Sequence, residues 1–204
     1  MIDFCDVHVG DTVLRDKHVY YAADTVFKYF GFKDGNPWNT SVQFRRNIID
    51  RDTISSGRGF SVTYHFTVDG SVDAKGLEGV VERAGTYVIT INGKVVKPEP
   101  GRWCLDKSFG VLKIGDYVRP GENSLTLSTN KMSIYDEVEP VYVLGDFNLE
   151  SAAKGWAIAP PAVLGLGSWK TQGMPMYGQG IHYIKEFVLG ARPTRLLVKL
   201  GKWN

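Results

Sequence analysis

Three pairs of carboxylates stand close together in the chain: Asp50 and Asp52, Glu78 and Glu82, Glu137 and Glu139. Glycoside hydrolysis uses two carboxyl groups about 5 Å apart for retention, or about 6.5–9.5 Å apart for inversion. Residues i and i+2 of a strand share a face, so Glu137 and Glu139 can meet that spacing. The competing reading, a solvated strand edge, accounts for most such pairs. The four histidines, His8, His18, His65 and His182, are scattered singly and no two have the spacing of metal ligands. His65 falls on the face opposite Tyr64 and Phe66, as a partly exposed strand residue would. Asp69-Gly70-Ser71-Val72-Asp73 opens like a calcium loop, but Ala74 stands where that loop needs Gly and Val80 where it needs Glu. There is no G-x-S-x-G elbow, P-loop or dinucleotide fingerprint. No cofactor and no metal is expected.

Aromatic residues in polar loops carry the remaining chemistry. Trp38, Trp103, Trp156, Trp169 and Tyr177 lie near Gly, Pro or Asn. A sugar presents an apolar C–H face that stacks on a ring, while its hydroxyls take polar partners. Trp169 and Tyr177 flank a glycine-rich loop, with Gln172 and Gln179 nearby to bond hydroxyls. Trp38 and Trp103 follow turns and form a second choice. The alternative for each ring is a plug at the end of a sandwich core.

The elements that must position these side chains are strands. Of 204 residues, 43% are hydrophobic, 12% aromatic and 23% charged, a composition that folds and excludes a disordered tail or a collagen-like repeat. A net charge of +2, from 24 basic and 22 acidic side chains, leaves no electrostatic footprint for nucleic acid or an anionic membrane. No apolar run approaches the roughly 20 residues of a membrane-spanning helix. Cys5 and Cys104 make no disulfide framework and read as ordinary buried thiols. Met1 to Asp6 has neither a basic region nor a long apolar stretch, so it is no signal peptide and reads like the middle of a protein.

Phe4–Val9 and Thr12–Tyr20 read as extended stretches around Gly10-Asp11. Residues 22–30 give the one helix pattern, with Val26, Phe27 and Phe30 at helical spacing and Gly31 closing it. Lys33 to Pro37 is a turn cluster and a domain boundary. Beyond it, alternation predicts strands at Ser41–Ile49, Gly59–Val68, Gly85–Ile91, Phe109–Ile114, Ser124–Leu127 and Pro140–Leu144. Asn92-Gly93 predicts a two-residue hairpin, because a type I′ turn needs positive φ at both central residues. Lys154–Gly180 is a long loop rich in Gly and Pro, followed by strands at Ile181–Leu189 and Arg195–Leu200. Strands at short intervals without helices between them mean a sandwich or a barrel.

Val88-Ile89-Thr90-Ile91-Asn92-Gly93-Lys94, followed by Gly115 to Leu127 with its Gly121-Glu122-Asn123, resembles the "N-G … G-x-N" core of galactose-binding-like β-sandwiches. These domains belong to large bacterial glycoside hydrolases, family 2-like and α-L-rhamnosidase-like. Asn39–Ile49 resembles the incoming strand of that domain, and Glu139-Pro140-Val141-Tyr142-Val143-Leu144-Gly145-Asp146-Phe147 its closing strand. Gly167-Ser168-Trp169, Gly173 to Gly178 and Tyr183 to Phe187 resemble the opening of a second such sandwich. The acid and base carboxylates of a catalytic domain find no match.

The resemblance implies an all-β chain: a galactose-binding-like jelly-roll β-sandwich over 34–149, followed by the start of a second, incomplete sandwich over 150–204. Residues 1–33, a hairpin and short helix, are expected to be the tail of a preceding domain, and the C-terminus to be cut. The function it implies is that of a non-catalytic accessory module of a polysaccharide-degrading hydrolase, either binding carbohydrate or bracing the catalytic domain. Two alternatives stand beside it: loop residues contributed to the active site of the parent enzyme, or a purely structural domain with no ligand. The expected partners are an oligo- or polysaccharide and the parent catalytic domain. The parent enzyme is expected in the periplasm or outside the cell.

Overall fold

The chain opens as a hairpin. In the computed structural model, which describes residues 1–190, 194–199 and 201, β1 (Phe4–Val9) pairs antiparallel with β2 (Thr12–His18) around Gly10-Asp11. β1 buries Cys5, Val7 and Val9, every second residue. The helix follows at once: α1 (Val19–Tyr29) buries Val19, Ala22, Ala23, Val26 and Phe27, a stripe at helical spacing. It begins at Val19 rather than Ala22, because His18 caps it: Nδ1 accepts from the Tyr20 N–H at 3.3 Å. Its other end is a Schellman motif. Gly31, at φ +93°, donates its N–H to the Lys28 carbonyl at 3.0 Å, and the Phe32 N–H reaches the Phe27 carbonyl at 3.0 Å.

Ten more strands follow among the described residues: β3 (Phe60–Val68), β4 (Glu78–Glu82), β5 (Val88–Ile91), β6 (Lys94–Val96), β7 (Trp103–Cys104), β8 (Asp106–Lys113), β9 (Gly121–Thr129), β10 (Tyr142–Leu144), β11 (Asn148–Ser151) and β12 (Trp156–Ala159). They make two sheets. The larger runs β11-β12-β3-β9-β5-β6, and the smaller runs β10-β4-β8-β7. β3 is the hub of the larger sheet. It pairs antiparallel with β9 along its whole length. Its other edge is shared by β1, opposite Phe60–Tyr64, and by β12, which runs parallel to it at Thr67 and Val68. Every other pairing between these strands is antiparallel.

The inner faces meet in one core. Val62, Tyr64, Phe66, Ile89, Ile91, Leu125 and Leu127 of the larger sheet pack with Val81 and Leu112 of the smaller, with Leu77 and Ile114 beside it, and with Val26 and Phe27 of α1. Burying each such side chain stabilises the fold by about 1.5–3 kcal/mol. The molecule is therefore β-dominated, a β-sandwich of two sheets. Residues 1–33, expected as the tail of a preceding domain, here add β1 and β2 to the larger sheet and α1 to the common core. The boundary expected at 149/150 falls inside β11, which β12 joins to the same sheet.

The asparagines of the hairpin pattern have a specific task. Asn92 and Gly93 have φ of +51° and +80°, and Ile91 stands opposite Lys94, as a type I′ turn requires. Asn92 Nδ2 donates to Asn123 Oδ1 at 2.8 Å and to the Tyr117 carbonyl at 2.9 Å, and Asn92 Oδ1 accepts from the Ser124 N–H. Asn123 is buried. It donates to the Arg119 and Gly121 carbonyls at 2.7 and 2.9 Å and accepts from the Arg119 N–H at 2.9 Å. The two amides thus lock the β5–β6 hairpin to the turn before β9.

Several stretches depart from what the sequence predicts. Ser41–Ile49 is not a strand: 3-10 turns at Arg45–Asn47 and Ile49–Arg51 curl it, and Val42 and Phe44 are exposed. The Gln43 side chain folds back to donate to the Trp38 carbonyl at 2.8 Å, so the backbone never extends beside a partner. Within the expected loop 154–180, Trp156–Ala159 forms a strand, because β11 and the end of β3 offer edges to pair with. Ile181–Leu189 and 195–199 form no regular element, and Ile184, Val188 and Val198 are exposed. A strand is stable only when paired. Leu200 and Lys202-Trp203-Asn204 lie outside the described residues.

Candidate functional site

Of the ring-bearing residues singled out in the sequence, Trp169 and Tyr177 share one loop with Gln172, and the Trp169 indole reaches the Tyr177 backbone. The sequence Gly165-Leu166-Gly167-Ser168 lets the chain turn tightly into a short 3-10 helix, Trp169–Gln172, which ends at Gly173 with φ +88°. The Gln172 amide is not free to meet a ligand: its Oε1 accepts from the Gly165 N–H at 2.7 Å, and its Nε2 donates to the Gly165 and Ser168 carbonyls, each at 3.2 Å. Gln172 is therefore the staple of the loop and has its hydrogen-bonding capacity committed to backbone. Trp169 Nε1 donates to the Tyr177 carbonyl at 3.2 Å, and the Tyr183 hydroxyl closes back on the Gly165 carbonyl at 2.9 Å. Two bonds tie this loop to the sandwich: the Leu149 N–H to the Gly173 carbonyl at 2.7 Å, and Asn148 Nδ2 to the Gln172 carbonyl at 3.2 Å. Trp169 is half-buried, and Tyr177 and Gln179 are exposed on the same loop.

Trp38 and Trp103 lie elsewhere. Trp38 is half-buried at the core edge, donates from Nε1 to the Ile134 carbonyl at 2.6 Å, and stacks on Tyr135 with ring centroids 5.9 Å apart. That is the geometry of a plug. Trp103 is exposed on β7, at the edge of the smaller sheet.

Carboxylates that stand in the sequence as two separate pairs act on one another at the Trp38 end. Glu137 and Glu139 are not a solvated strand edge: both are half-buried, with Val138 between them turned into the core. Asn36, itself buried, donates from Nδ2 to Glu137 Oε2 at 2.9 Å. The hydroxyl of Tyr64 donates to the Glu139 carbonyl at 2.6 Å, and that of Tyr87 to the Glu137 carbonyl at 3.0 Å. Burial, with the neighbouring charges of Glu137 and Glu82, pushes the Glu139 carboxyl up to about 7. Burial also raises Glu137, against the opposing hydrogen bond from Asn36. Glu139 is thereby partly protonated near neutral pH and can donate a proton or a hydrogen bond. The i, i+2 spacing of Glu137 and Glu139 was the one signal in the sequence. Glu82 comes from β4 and stood in the sequence only as the neighbour of Glu78.

The remaining groups do structural work. Asp69 Oδ1 accepts from the Ser71 N–H at 2.8 Å in a local turn, and among the described residues no three His, Cys, Asp or Glu side chains converge to hold a metal. His65 lies half-exposed between Asp6 at 3.3 Å and Glu122 at 3.2 Å, on the outer face of the larger sheet. Cys5 and Cys104 are free thiols, and burial raises the Cys5 thiol to about 12, which makes it unreactive. An open groove of about 320 Å³ passes Arg83, Thr86, Arg102 and Lys107, but Arg102 is held by the carboxylates of Glu78 and Glu99. No helix among the described residues is long and apolar enough to cross a membrane. No family model matches the chain, and no curated protein matches it either.

Proposed function

We propose that the chain is a galactose-binding-like, jelly-roll β-sandwich that serves as a non-catalytic, carbohydrate-binding accessory module of a bacterial glycoside hydrolase. The observation that carries this reading is the loop of residues 165–183. It holds Trp169 half-buried, with Nε1 bonded to the Tyr177 backbone carbonyl, and carries the exposed Tyr177 on the same loop, and Gln172 staples the loop backbone before any ligand arrives. Rings fixed in advance lose little conformational entropy when a sugar stacks on them. The locked Asn92–Asn123 pair supports the family assignment, since it gives both asparagines of the "N-G … G-x-N" pattern a role. The proposed partners are an oligo- or polysaccharide and the catalytic domain of the parent enzyme, in the periplasm or outside the cell.

Titration of plant-polysaccharide oligomers by tryptophan fluorescence tests this. Trp169→Ala is expected to weaken binding by about 1–2 kcal/mol, the contribution of one stacked ring. Gln172→Ala keeps both rings but frees the loop, and is expected to weaken binding as well. No fluorescence change with any oligomer, or equal affinity in Trp169→Ala, leaves a bracing role without ligand as the better account.

One observation favours the second reading, a contribution to the active site of the parent. Glu139 is held partly protonated near neutral pH with Glu137 beside it, as a general acid requires. In that case Glu139→Gln lowers kcat of the whole parent enzyme while KM stays unchanged. In an accessory module it leaves kcat unaltered.

A further inference from the structure

The smaller sheet ends at an edge where a polar groove meets an exposed ring. The open groove of about 320 Å³ runs between the turn at 83–86, the Pro98-Glu99 stretch and the β7–β8 hairpin, with Arg102 and Gly110 on its walls. Trp103 follows Arg102 in the chain and stands opposite Gly110 across β7 and β8. Residues directly opposite in an antiparallel pair carry their side chains to the same face. On that face of Gly110 lie Ala84 and Pro98: a Cβ at Gly110 would stand 2.9 Å from the Ala84 Cβ and 3.5 Å from the Pro98 Cβ. Trp103 therefore leaves its strand on the groove side, and it is 52% exposed. We propose that this groove is a saccharide subsite for an uncharged sugar, with Trp103 as the stacking platform and Arg102 and Glu99 as partners of two neighbouring hydroxyls. The subsite rests on the carbohydrate-binding reading above, and adds to it a second site and a class of sugar.

The charges of the rim decide what fits. Arg102 gives both terminal nitrogens to the Glu78 carboxylate, at 2.7 and 3.1 Å, and one of them also to Glu99. Lys113 Nζ meets the other oxygen of Glu99 at 2.8 Å. Two cations thus match two anions, and the quartet has no net charge to offer an anionic ligand. Arg83 has Glu82 at 3.8 Å, and Lys107 follows Asp106 in the chain, so no block of unmatched cations forms beside it. Hydrogen-bonding capacity remains. A guanidinium carries five N–H groups, and the three bonds of Arg102 leave Nε–H and one N–H of Nη2. The Glu99 carboxylate has about four acceptor positions, of which Arg102 and Lys113 take one each. A donor and an acceptor side by side suit adjacent hydroxyls of one sugar ring, while the ring's apolar face lies on the indole.

The platform is set before a ligand arrives. Leu105 turns the hairpin at φ +69°, and Asp106 Oδ1 accepts from the Ser108 N–H at 2.7 Å and from the Ser108 hydroxyl at 2.6 Å. The Arg102 side chain is held by two carboxylates from different parts of the chain. Groups fixed in this way lose little conformational entropy on binding.

Calorimetric titration of the full chain with sugars short enough to occupy one site each tests the subsite. Cellotriose, xylotriose and mannotriose serve as uncharged probes, and trigalacturonic acid as an acidic one. The wild type is expected to take two equivalents of an uncharged probe. Trp103→Ala is expected to weaken one equivalent about tenfold, and Arg102→Gln to weaken the same one. Both variants keep the equivalent that depends on Trp169. Trp103 and Arg102 are exposed, so neither substitution opens the core, and each stands in for the other if one fails to fold. Trigalacturonic acid is expected to bind the groove at least tenfold more weakly than the uncharged probes. Wild-type stoichiometry and affinity in both variants, or tighter binding of the acidic probe at the groove, would overturn the subsite. Loss of all binding in Trp169→Ala, with none lost in Trp103→Ala, leaves the loop reading standing and removes the subsite. Loss in Trp103→Ala with none in Trp169→Ala supports the subsite and removes the loop as a site. No heat of binding with any probe overturns both.

Discussion

Replacing Asn123 by Ala removes the centre of the amide lock. The side chain makes four hydrogen bonds: to the Arg119 and Gly121 carbonyls, from the Arg119 N–H, and from Asn92 Nδ2. Asn92 Nδ2 keeps the Tyr117 carbonyl as a partner, so three backbone groups are stranded. A net contribution of about 1 kcal/mol per bond gives a loss of about 3–4 kcal/mol. That is a large share of the roughly 5–15 kcal/mol that holds a typical domain folded. Urea unfolding followed by circular dichroism measures it as a lower midpoint with unchanged slope. Asn123→Asp sharpens the test. It keeps the shape and the acceptor Oδ1, but places an oxygen where Nδ2 stood, 2.7 and 2.9 Å from two carbonyl oxygens. It can donate there only when protonated, so its folded-state pKa lies above the unfolded value. The variant is therefore closest to the wild type at low pH and loses stability as pH rises. A double-mutant cycle with Asn92→Ala should return a coupling of about 1 kcal/mol for the bond between the two amides. A loss below about 1 kcal/mol for Asn123→Ala, or wild-type stability for Asn123→Asp at pH 8, would refute the lock.

Other changes test the rest of the fold. Glu139 has its folded carboxyl raised from 4.5 to about 7, so the native state holds a proton that the unfolded state has released. Stability therefore falls as pH rises across that window, by at most about 3 kcal/mol and, since the group is only half-buried, by about 1–2 kcal/mol after solvent screening. Glu139→Gln should lack that fall in urea titrations at pH 5 and pH 8. Gly31→Ala and Gly93→Ala meet open space but must hold φ of +93° and +80°, so each should lower stability by about 1–2 kcal/mol in the same assay. Trp38→Phe can still stack on Tyr135 but loses the 2.6 Å bond to Ile134. It should lower stability by about 1–2 kcal/mol without altering sugar affinity, and the reverse pattern would mark Trp38 as a ligand platform.

What was legible in the sequence was what a strand or turn decides within itself. Phe60–Val68 alternates because one face meets the core and the other carries Ser61, Thr63, His65 and Thr67. Asn92-Gly93 and Gly31 announce positive φ on their own. β4 was not legible, because Gly79, Val80 and Val81 are buried in succession and leave no alternation to read. Ser41–Ile49 shows the converse: it alternates, yet no neighbouring strand receives it. The carboxylate cluster needs more than local pattern. β10 runs antiparallel to β4 with Tyr142 opposite Val80 and Leu144 opposite Glu78. That pairing brings the chain just before Tyr142 toward the end of β4, where Glu82 stands. The meeting of Glu82 with Glu137 and Glu139 is thus a consequence of one long-range strand pairing. A shift of that register by one residue would turn every side chain of β10 to the other face of the sheet and slide residues 137–139 along β4 relative to Glu82.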